Sequence, residues 1–201
     1  MPRARSGHAP TTVLLALTLS LAAPSVRAVE QPDYTVIDQL GDVEIRTYAP
    51  YRVVSMEVEG EFEDAADGAF EALAGYLGGD NATGRKFGFT APVEQYRVAE
   101  GRHRLTFMIP PLAVDEAAPD PTDTRLEVRQ VPSRTIAAIR YSGGWAMSRY
   151  LKHARALRDA LDASTYTPCG HPIWARYNPP FWPAFLKRNE VWAEVVRGTP
   201  C

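Results

Sequence analysis

The chain has 201 residues, of which 45% are hydrophobic and 23% charged, enough to build the core of one domain. It carries 22 Lys and Arg against 24 Asp and Glu, a formal net charge of −2. This acidic balance argues against a nucleic-acid-binding protein, which usually presents a basic face, and against docking on an anionic membrane.

The first 28 residues have the pattern of a secretory signal peptide. Arg3 and Arg5 precede an uncharged apolar run at residues 11–23, and residues 26–28 form a plausible cleavage site. The run is too short for a transmembrane anchor. We therefore expect an exported protein, periplasmic or secreted, whose single domain of residues 29–201 is not inserted in a membrane. Its net charge is about −5, because the signal removes three Arg and no acid.

Alternating apolar and polar residues predict strands at residues 34–40, 43–48 and 52–58. The period then becomes helical, with one apolar stripe formed by Phe62, Ala66, Ala69, Phe70, Leu73 and Leu77. Gly78 and Gly79 end this helix, and the Gly-rich segment after them is interpreted as a cap and turn rather than a phosphate loop. Extended segments follow at residues 86–98 and 105–109.

The first helix has a second, unusual face made of the small residues Ala65, Gly68, Ala72 and Gly75. Glycine inside a helix costs about 1 kcal/mol relative to alanine, so two of them need a reason. One interpretation is close packing against another element, and the other is a smooth floor for a flat ligand.

Residues 110–124, with four Pro and three Asp, are interpreted as a linker. After it we predict strands at residues 126–131 and 134–141, a second helix, and strands at 173–177 and 190–196. The apolar stripe of this helix consists of Met147, Tyr150, Leu151, Ala154, Leu157 and Leu161. Around the stripe lie Arg149, Lys152, Arg155 and Arg158, which indicates a helix that faces solvent.

Residues 43–62 and 126–145 are two copies of one pattern, aligned without a gap at an offset of 83. Identical pairs are Glu44/Glu127, Arg46/Arg129 and Gly60/Gly143, and apolar pairs include Val53/Ile136 and Met56/Ile139. The repeat predicts two duplicated halves, at about 34–109 and 126–197, each in the order strand–strand–helix–strand–strand. The expected fold class is therefore α+β with mostly antiparallel pairing.

Candidate functional residues are few. No nucleophile motif or phosphate loop occurs. Cys169 and Cys201 are expected to form a disulfide in an oxidising compartment, and the alternative is a metal site with Cys169 and His171. His153 lies beside the second helical stripe and is interpreted as a polar neighbour of the core, as a surface histidine, or as a ligand of iron or another metal.

The C-terminal region is rich in aromatic residues and proline, with cations interleaved: Trp174, Arg176, Tyr177, Pro179, Pro180, Phe181, Trp182, Phe185, Lys187 and Arg188. It is interpreted as a lid on the core, as one wall of an apolar pocket that meets acidic ligand groups, or as both.

Four segments resemble the SOUL or haem-binding protein family. They are Tyr34 with V-E-I-R-T-Y at 43–48, F-T-A-P-V at 89–93, Y-N-P-P at 177–180 and R-N-E-V-W at 188–192. Together they span nearly the whole chain after residue 28. The resemblance implies a distorted β-barrel of two related halves with two main helices.

It also implies binding of haem or another porphyrin in an apolar groove along the first helix. Carried over by position, the groove would use Asp67, Phe70, Ala74, Gly75 and Tyr177. Relatives offer basic side chains where this chain has Asp67 and Gly75, so the propionates are expected to meet Arg176, Lys187 or Lys86. Thr47 stands where some relatives have a histidine, and the family has no shared axial ligand, so apolar contact is expected to hold the haem.

The sequence thus favours an exported, non-enzymatic binding protein for haem or a related porphyrin. The alternatives are a general binder of small or lipid-like molecules and, with support only from analogy, a hydrolase on the same fold.

Overall fold

The structure, a computed structural model, describes residues 29–62, 65–113, 116–198 and 201, with the side chains of residues 65–67 left out. The predicted signal peptide lies outside these residues. The strands are β1 (Tyr34–Leu40), β2 (Val43–Tyr48), β3 (Tyr51–Glu59), β4 (Val93–Ala99), β5 (Arg102–Met108), β6 (Leu126–Val131), β7 (Arg134–Ser142), β8 (Tyr166–Arg176) and β9 (Arg188–Arg197). The helices are α1 (Ala65–Gly78) and α2 (Met147–Asp162), and a 3₁₀ turn covers Ala184–Leu186.

The strands form one antiparallel sheet in the order β1-β2-β7-β9-β8-β4-β5-β3-β6. The α+β class is therefore confirmed. The expected closure into a barrel is not, because no pairing among the described residues joins β1 or β2 to β6 at the far edge.

Two strand pairs, β2–β7 and β3–β6, have equivalent registers. β2 and β6 begin and end 83 positions apart, and so do β3 and β7. In the β2–β7 pair Val43 lies opposite Ile139, and in the β3–β6 pair Leu126 lies opposite Met56. Val43 is equivalent to Leu126 in the repeat and Met56 to Ile139, so the second pair is the first with the halves exchanged. The order of strands β2 to β9 is also unchanged when each strand is replaced by its counterpart in the other half. A common origin of the halves stays a prediction.

Helix α1 packs against β3 and β5. Its inward stripe includes Leu73 and Leu77, which are fully buried beside Leu105 and Phe107. Burial of each leucine stabilises this contact by about 1.5–3 kcal/mol. Beyond Gly79, whose φ of 118° suits a residue without Cβ, the Asn81 side chain bonds the turn at Tyr76 and Arg85. The predicted cap and turn are confirmed.

Helix α2 packs against β7, β8 and β9 through Tyr150, Leu157 and Leu161. Leu157 and Leu161, 84 positions after Leu73 and Leu77, are the corresponding buried leucines of α2. Leu151 belongs to the predicted stripe but remains 42% exposed, as Phe70 on α1 remains 41% exposed. Among the helices that the structure describes, none is long and apolar enough to cross a membrane.

Several strands differ from their predicted limits, and the largest differences are at β8 and before β4. β8 begins at Tyr166, earlier than expected, because it accommodates Pro168 and Pro172 at an irregularity of register between Cys169 and Ile173. Residues 86–92 are not part of a strand, since Thr90 makes only an isolated bridge, to Glu30. Cys169 is disulfide-bonded to Cys201, with Cα atoms 5.7 Å apart. Cys169 therefore has no free thiolate for the alternative metal site.

Candidate functional site

Residues from separate family segments meet in one buried ion-pair network. The guanidinium of Arg46 donates to both carboxylate oxygens of Glu190, at 2.7 and 3.2 Å, and to Glu44 at 2.8 Å. Arg46 is 2% exposed and Glu190 is 0% exposed. The aromatic ring of Tyr34 lies 4.6 Å from the guanidinium carbon of Arg46. Such a pair is tolerated inside a protein only when its remaining donors and acceptors are satisfied.

Tyr177 completes the coordination of Glu190 together with two neighbours on β9. Its hydroxyl donates to the Glu190 carboxylate at 2.9 Å, the Trp192 indole donates at 2.6 Å, and Arg188 donates at 2.7 Å. The Arg188 guanidinium also covers the Tyr177 ring at 3.8 Å. Asn178 accepts the backbone N–H of Arg188 at 2.6 Å. The Y-N-P-P and R-N-E-V-W segments therefore bind each other.

Both titratable groups at this junction have shifted pKa values. Burial opposes ionisation of Glu190, but the hydrogen bonds and charges of Arg46 and Arg188 outweigh it and lower its pKa to about 2. Burial, with the negative charge of Glu190, raises the pKa of Tyr177 well above its usual value. Glu190 is thus a fixed anion and Tyr177 a neutral donor, which suits a structural role.

A second buried network joins the two halves at equivalent repeat positions, Tyr51 and Arg134. Glu94 accepts from the Arg134 guanidinium at 2.8 Å and from the Tyr51 hydroxyl at 2.9 Å, and Arg134 also donates to Tyr51. The F-T-A-P-V segment is held similarly, since the Thr90 hydroxyl donates to the Met108 carbonyl at 2.7 Å. Our sequence reasoning missed both networks. The sequence feature that could have indicated these networks is the presence of charged residues at alternate positions of otherwise apolar strands.

The predicted groove residues of α1 form a partly open surface. Phe70 projects outward with its ring edge-on to Phe107 at 5.3 Å, and Ala74 packs at the margin of the core beneath. A Cβ placed on Gly68 would meet nothing within 4 Å, whereas one on Gly75 would lie 2.7 Å from Asp80 Oδ2. The small-residue face is therefore open at Gly68 and covered by a carboxylate at Gly75. The side chain of Asp67 lies outside the described residues.

The other predicted site residues gather around Trp145, next to α2. Arg176 and Lys187 lie over its ring at 5.0 and 4.6 Å. Arg176 donates to Gln95 at 2.8 Å, and Lys187, itself buried, donates to the Pro180 carbonyl at 2.7 Å. Within the described part of the chain, no hydrogen bond, ion pair or ring contact joins Tyr177 or Lys187 to α1.

A cleft of about 710 Å³ lies beside α2. Its walls are the end of β7 (residues 139–142), Asp42, His153, and residues 185–188 after the aromatic loop. His153 is half-buried, its ring stacks on Tyr141 at 4.0 Å, and its Nδ1 lies 2.8 Å from the Arg149 carbonyl oxygen. Among the described residues, no group of three or more His, Cys, Asp or Glu could hold a metal ion.

Comparison with protein families gives one match over most of the chain. A family model described as SOUL heme-binding protein matches residues 29–194. Heme-binding protein 1 of Xenopus tropicalis is 29% identical over 156 residues, covering 74% of this chain and 81% of that protein. Heme-binding protein 1 of Mus musculus is 27% identical over 137 residues, covering 65% and 71%.

Solved structures with the same fold are more distant in sequence. The EcmrR C-terminal domain has a TM-score of 0.55 at 9% identity, covering 82% of this chain and 98% of that one. A hydrolase from Listeria innocua has a TM-score of 0.54 at 8% identity, covering 85% and 94%. At such identities the likeness concerns the fold alone.

Proposed function

The chain belongs to the SOUL heme-binding protein family, and we propose that it is a non-enzymatic binding protein for haem or a related tetrapyrrole. The observation that carries this proposal is the family match over residues 29–194, together with relatives named as binding proteins for haem. The pattern of residues 1–28 further supports an exported protein that binds its ligand outside the cytoplasm.

We place the ligand on the outer face of α1. Phe70 offers an exposed aromatic ring on this helix, and Gly68, two residues before it and on a different side of the helix, leaves bare backbone open. Apolar contact is favourable by roughly 25 cal/mol per Å² removed from water, so a porphyrin can be held without an iron ligand. Ala74 lies at the margin of the core on this helix, and the Asp80 carboxylate covers the helix at Gly75.

In this proposal the side chain of Lys86 supplies the positive charge that pairs with a porphyrin carboxylate. The Lys86 side chain is exposed and passes the end of α1, with its Cγ 3.4 Å from where a Cβ on Gly79 would stand. Arg176 and Lys187 are engaged around Trp145, which makes them less suited to this role. The Tyr177 hydroxyl donates a hydrogen bond to Glu190, so a role for Tyr177 in ligand binding remains a prediction.

A hydrolytic function has less support. It would need a carboxylate with a raised pKa in the groove, to act as a general acid. The two most buried glutamates, Glu94 and Glu190, are instead paired with Arg134 and Arg46. The hydrolase with this fold is too distant in sequence to carry an activity over to this chain.

Titration with hemin tests the proposed function. We expect a shift of the Soret band at micromolar hemin, and weaker binding by Phe70→Ala. Leu151→Ala is the matched control, because Leu151 is equally exposed on the other helix, at 42% against 41% for Phe70. Absence of any Soret shift with the unaltered chain would refute porphyrin binding. Equal weakening by both variants would refute the placement on α1.

A further inference from the structure

The histidine beside α2 has the hydrogen bond that a metal-binding imidazole requires. A carbonyl oxygen can only accept, so the 2.8 Å contact with Arg149 puts the hydrogen on the Nδ1 of His153. In the neutral ring, Nε2 then carries the free lone pair. Metal-ligating histidines usually donate their other ring N–H in this way, often to a backbone carbonyl.

The ring of His153 is also held in place. It stacks on Tyr141 with centroids 4.0 Å apart and planes only 8° from parallel, and Tyr141 is itself buried. No residue in the described ranges is recorded as a hydrogen-bond partner of Nε2. An oriented imidazole with one uncommitted nitrogen therefore lines the cleft.

The lining of the cleft also includes apolar surface. Phe185 and Leu186, both on the 3₁₀ turn, are 77% and 55% exposed. Large apolar side chains so exposed on one short segment are typical of a binding surface. The cleft volume of about 710 Å³ is in the range of sites for small molecules.

The charges that line the cleft suit an acidic ligand. Three cations, Arg140, Lys187 and Arg188, face one acid, Asp42. Arg188 is committed to Glu190, and Lys187 uses one of its three N–H donors on Pro180. Arg140 is exposed and forms no ion pair with any residue that the structure describes, so its guanidinium is available to a carboxylate.

We propose that this cleft is a second tetrapyrrole site, in which His153 Nε2 ligates the metal of a metalloporphyrin and Arg140 meets a porphyrin carboxylate. A metalloporphyrin is a flat apolar ring with a metal and carboxylates, and the cleft offers each part a partner: an imidazole nitrogen, apolar surface and a guanidinium. The proposal rests on the proposed function and extends it to another surface. The two sites differ chemically, because α1 contains no histidine that could ligate a metal. The cleft adds a bond that only a porphyrin with a metal can form.

The experiment compares hemin with metal-free protoporphyrin, using the full chain. Absorption and electron paramagnetic resonance report histidine ligation of iron, and fluorescence reports binding of the metal-free ring. His153→Phe removes Nε2 but keeps an aromatic ring on Tyr141, so that the fold is preserved. His153→Ala is the second variant. His171→Ala is the matched control, because His171 is exposed on β8 and does not line the cleft.

With the unaltered chain we expect the spectrum of histidine-ligated iron. His153→Phe is expected to abolish it and to weaken hemin binding at this site about tenfold or more, with metal-free protoporphyrin binding unchanged. His171→Ala should match the unaltered chain. An unchanged iron spectrum in His153→Phe, or equal loss of both porphyrins, overturns the ligand role while haem binding stands. If the unaltered chain binds neither porphyrin, the proposed function fails as well.

Discussion

Arg46 on β2 and Glu190 on β9 are separated by 144 positions in the chain, yet their side chains share two hydrogen bonds in the protein interior. Strand β7 lies between their two strands in the sheet, so this pair ties three strands of the same sheet together. Each residue belongs to a different segment of the family pattern, and Tyr177 from a third segment binds the same carboxylate. Three of the four family segments therefore contribute side chains that hold this sheet together, and the proposed ligand surfaces lie outside this network.

Glu190→Gln is expected to destabilise the fold by about 3 kcal/mol or more, because it leaves the buried guanidinium of Arg46 without its main partner. Glu44→Gln is the matched control, since Glu44 pairs with the same guanidinium from a side chain that is 37% exposed. We expect it to cost at most about 1 kcal/mol. Urea unfolding of both variants measures the difference. Equal losses would mean that the buried pair is not the main connection.

The contribution of Glu190 should depend on pH in a defined window. Its pKa is lowered from 4.5 to about 2, so the ionised form is favoured by folding. The resulting stability is fully present above the unfolded value of 4.5 and is lost as the pH falls through 2. The stability difference between the unaltered chain and Glu190→Gln should therefore be constant from pH 7 to 5 and shrink toward pH 2. A difference that persists undiminished at pH 2 would contradict the lowered pKa.

The sequence predicts the repeated strands well because their signals are local. β2, β3, β6 and β7 alternate in polarity, and a gapless offset of 83 carries their lengths and even their register. The start of β8 could not be predicted, because Pro168 and Pro172 argue against a strand when the irregularity that accommodates them is unknown.

The site was less predictable for a different reason. Periodicity identifies which face of α1 or α2 is apolar, but it does not say which distant loop lies beside that face. The cleft at His153 exists because residues 185–188 follow β8 and return next to the end of β7. That neighbourhood follows from sheet order, in which β9 separates β8 from β7. Sequence reasoning noted His153, Lys187 and Phe185 separately and had no means of joining His153 to the other two.

The disulfide between Cys169 and Cys201 should contribute to stability through the segment that it closes. The two cysteines are 32 positions apart, and a loop of this size corresponds to about 3–4 kcal/mol in the chain-entropy model. We expect Cys169→Ser with Cys201→Ser to lower the melting temperature, and reduction of the unaltered chain to lower it equally. The double variant should not respond to a reducing agent. A melting temperature insensitive to reduction would show that the bond contributes little.

Gly68 and Gly75 of α1 distinguish the two interpretations of its small-residue face, which are close packing and a floor for a flat ligand. A Cβ on Gly68 enters open space, so Gly68→Ala should stabilise the helix by about 0.5–1 kcal/mol. Gly75→Ala should gain less, because the Asp80 carboxylate must move away from the new methyl group. Thermal unfolding of both variants tests this order.

Ligand binding provides the decisive comparison at the same position. Gly68→Leu places a bulky side chain on the open face without displacing any neighbour within 4 Å, so we expect little loss of stability. If the face is a floor for a flat ligand, Gly68→Leu should weaken binding of metal-free protoporphyrin about tenfold, or about 1.4 kcal/mol, while Gly68→Ala changes it little. Fluorescence titration of the two variants measures this. Unchanged affinity in Gly68→Leu would mean that the porphyrin does not lie on Gly68, and that the helix glycines need another explanation.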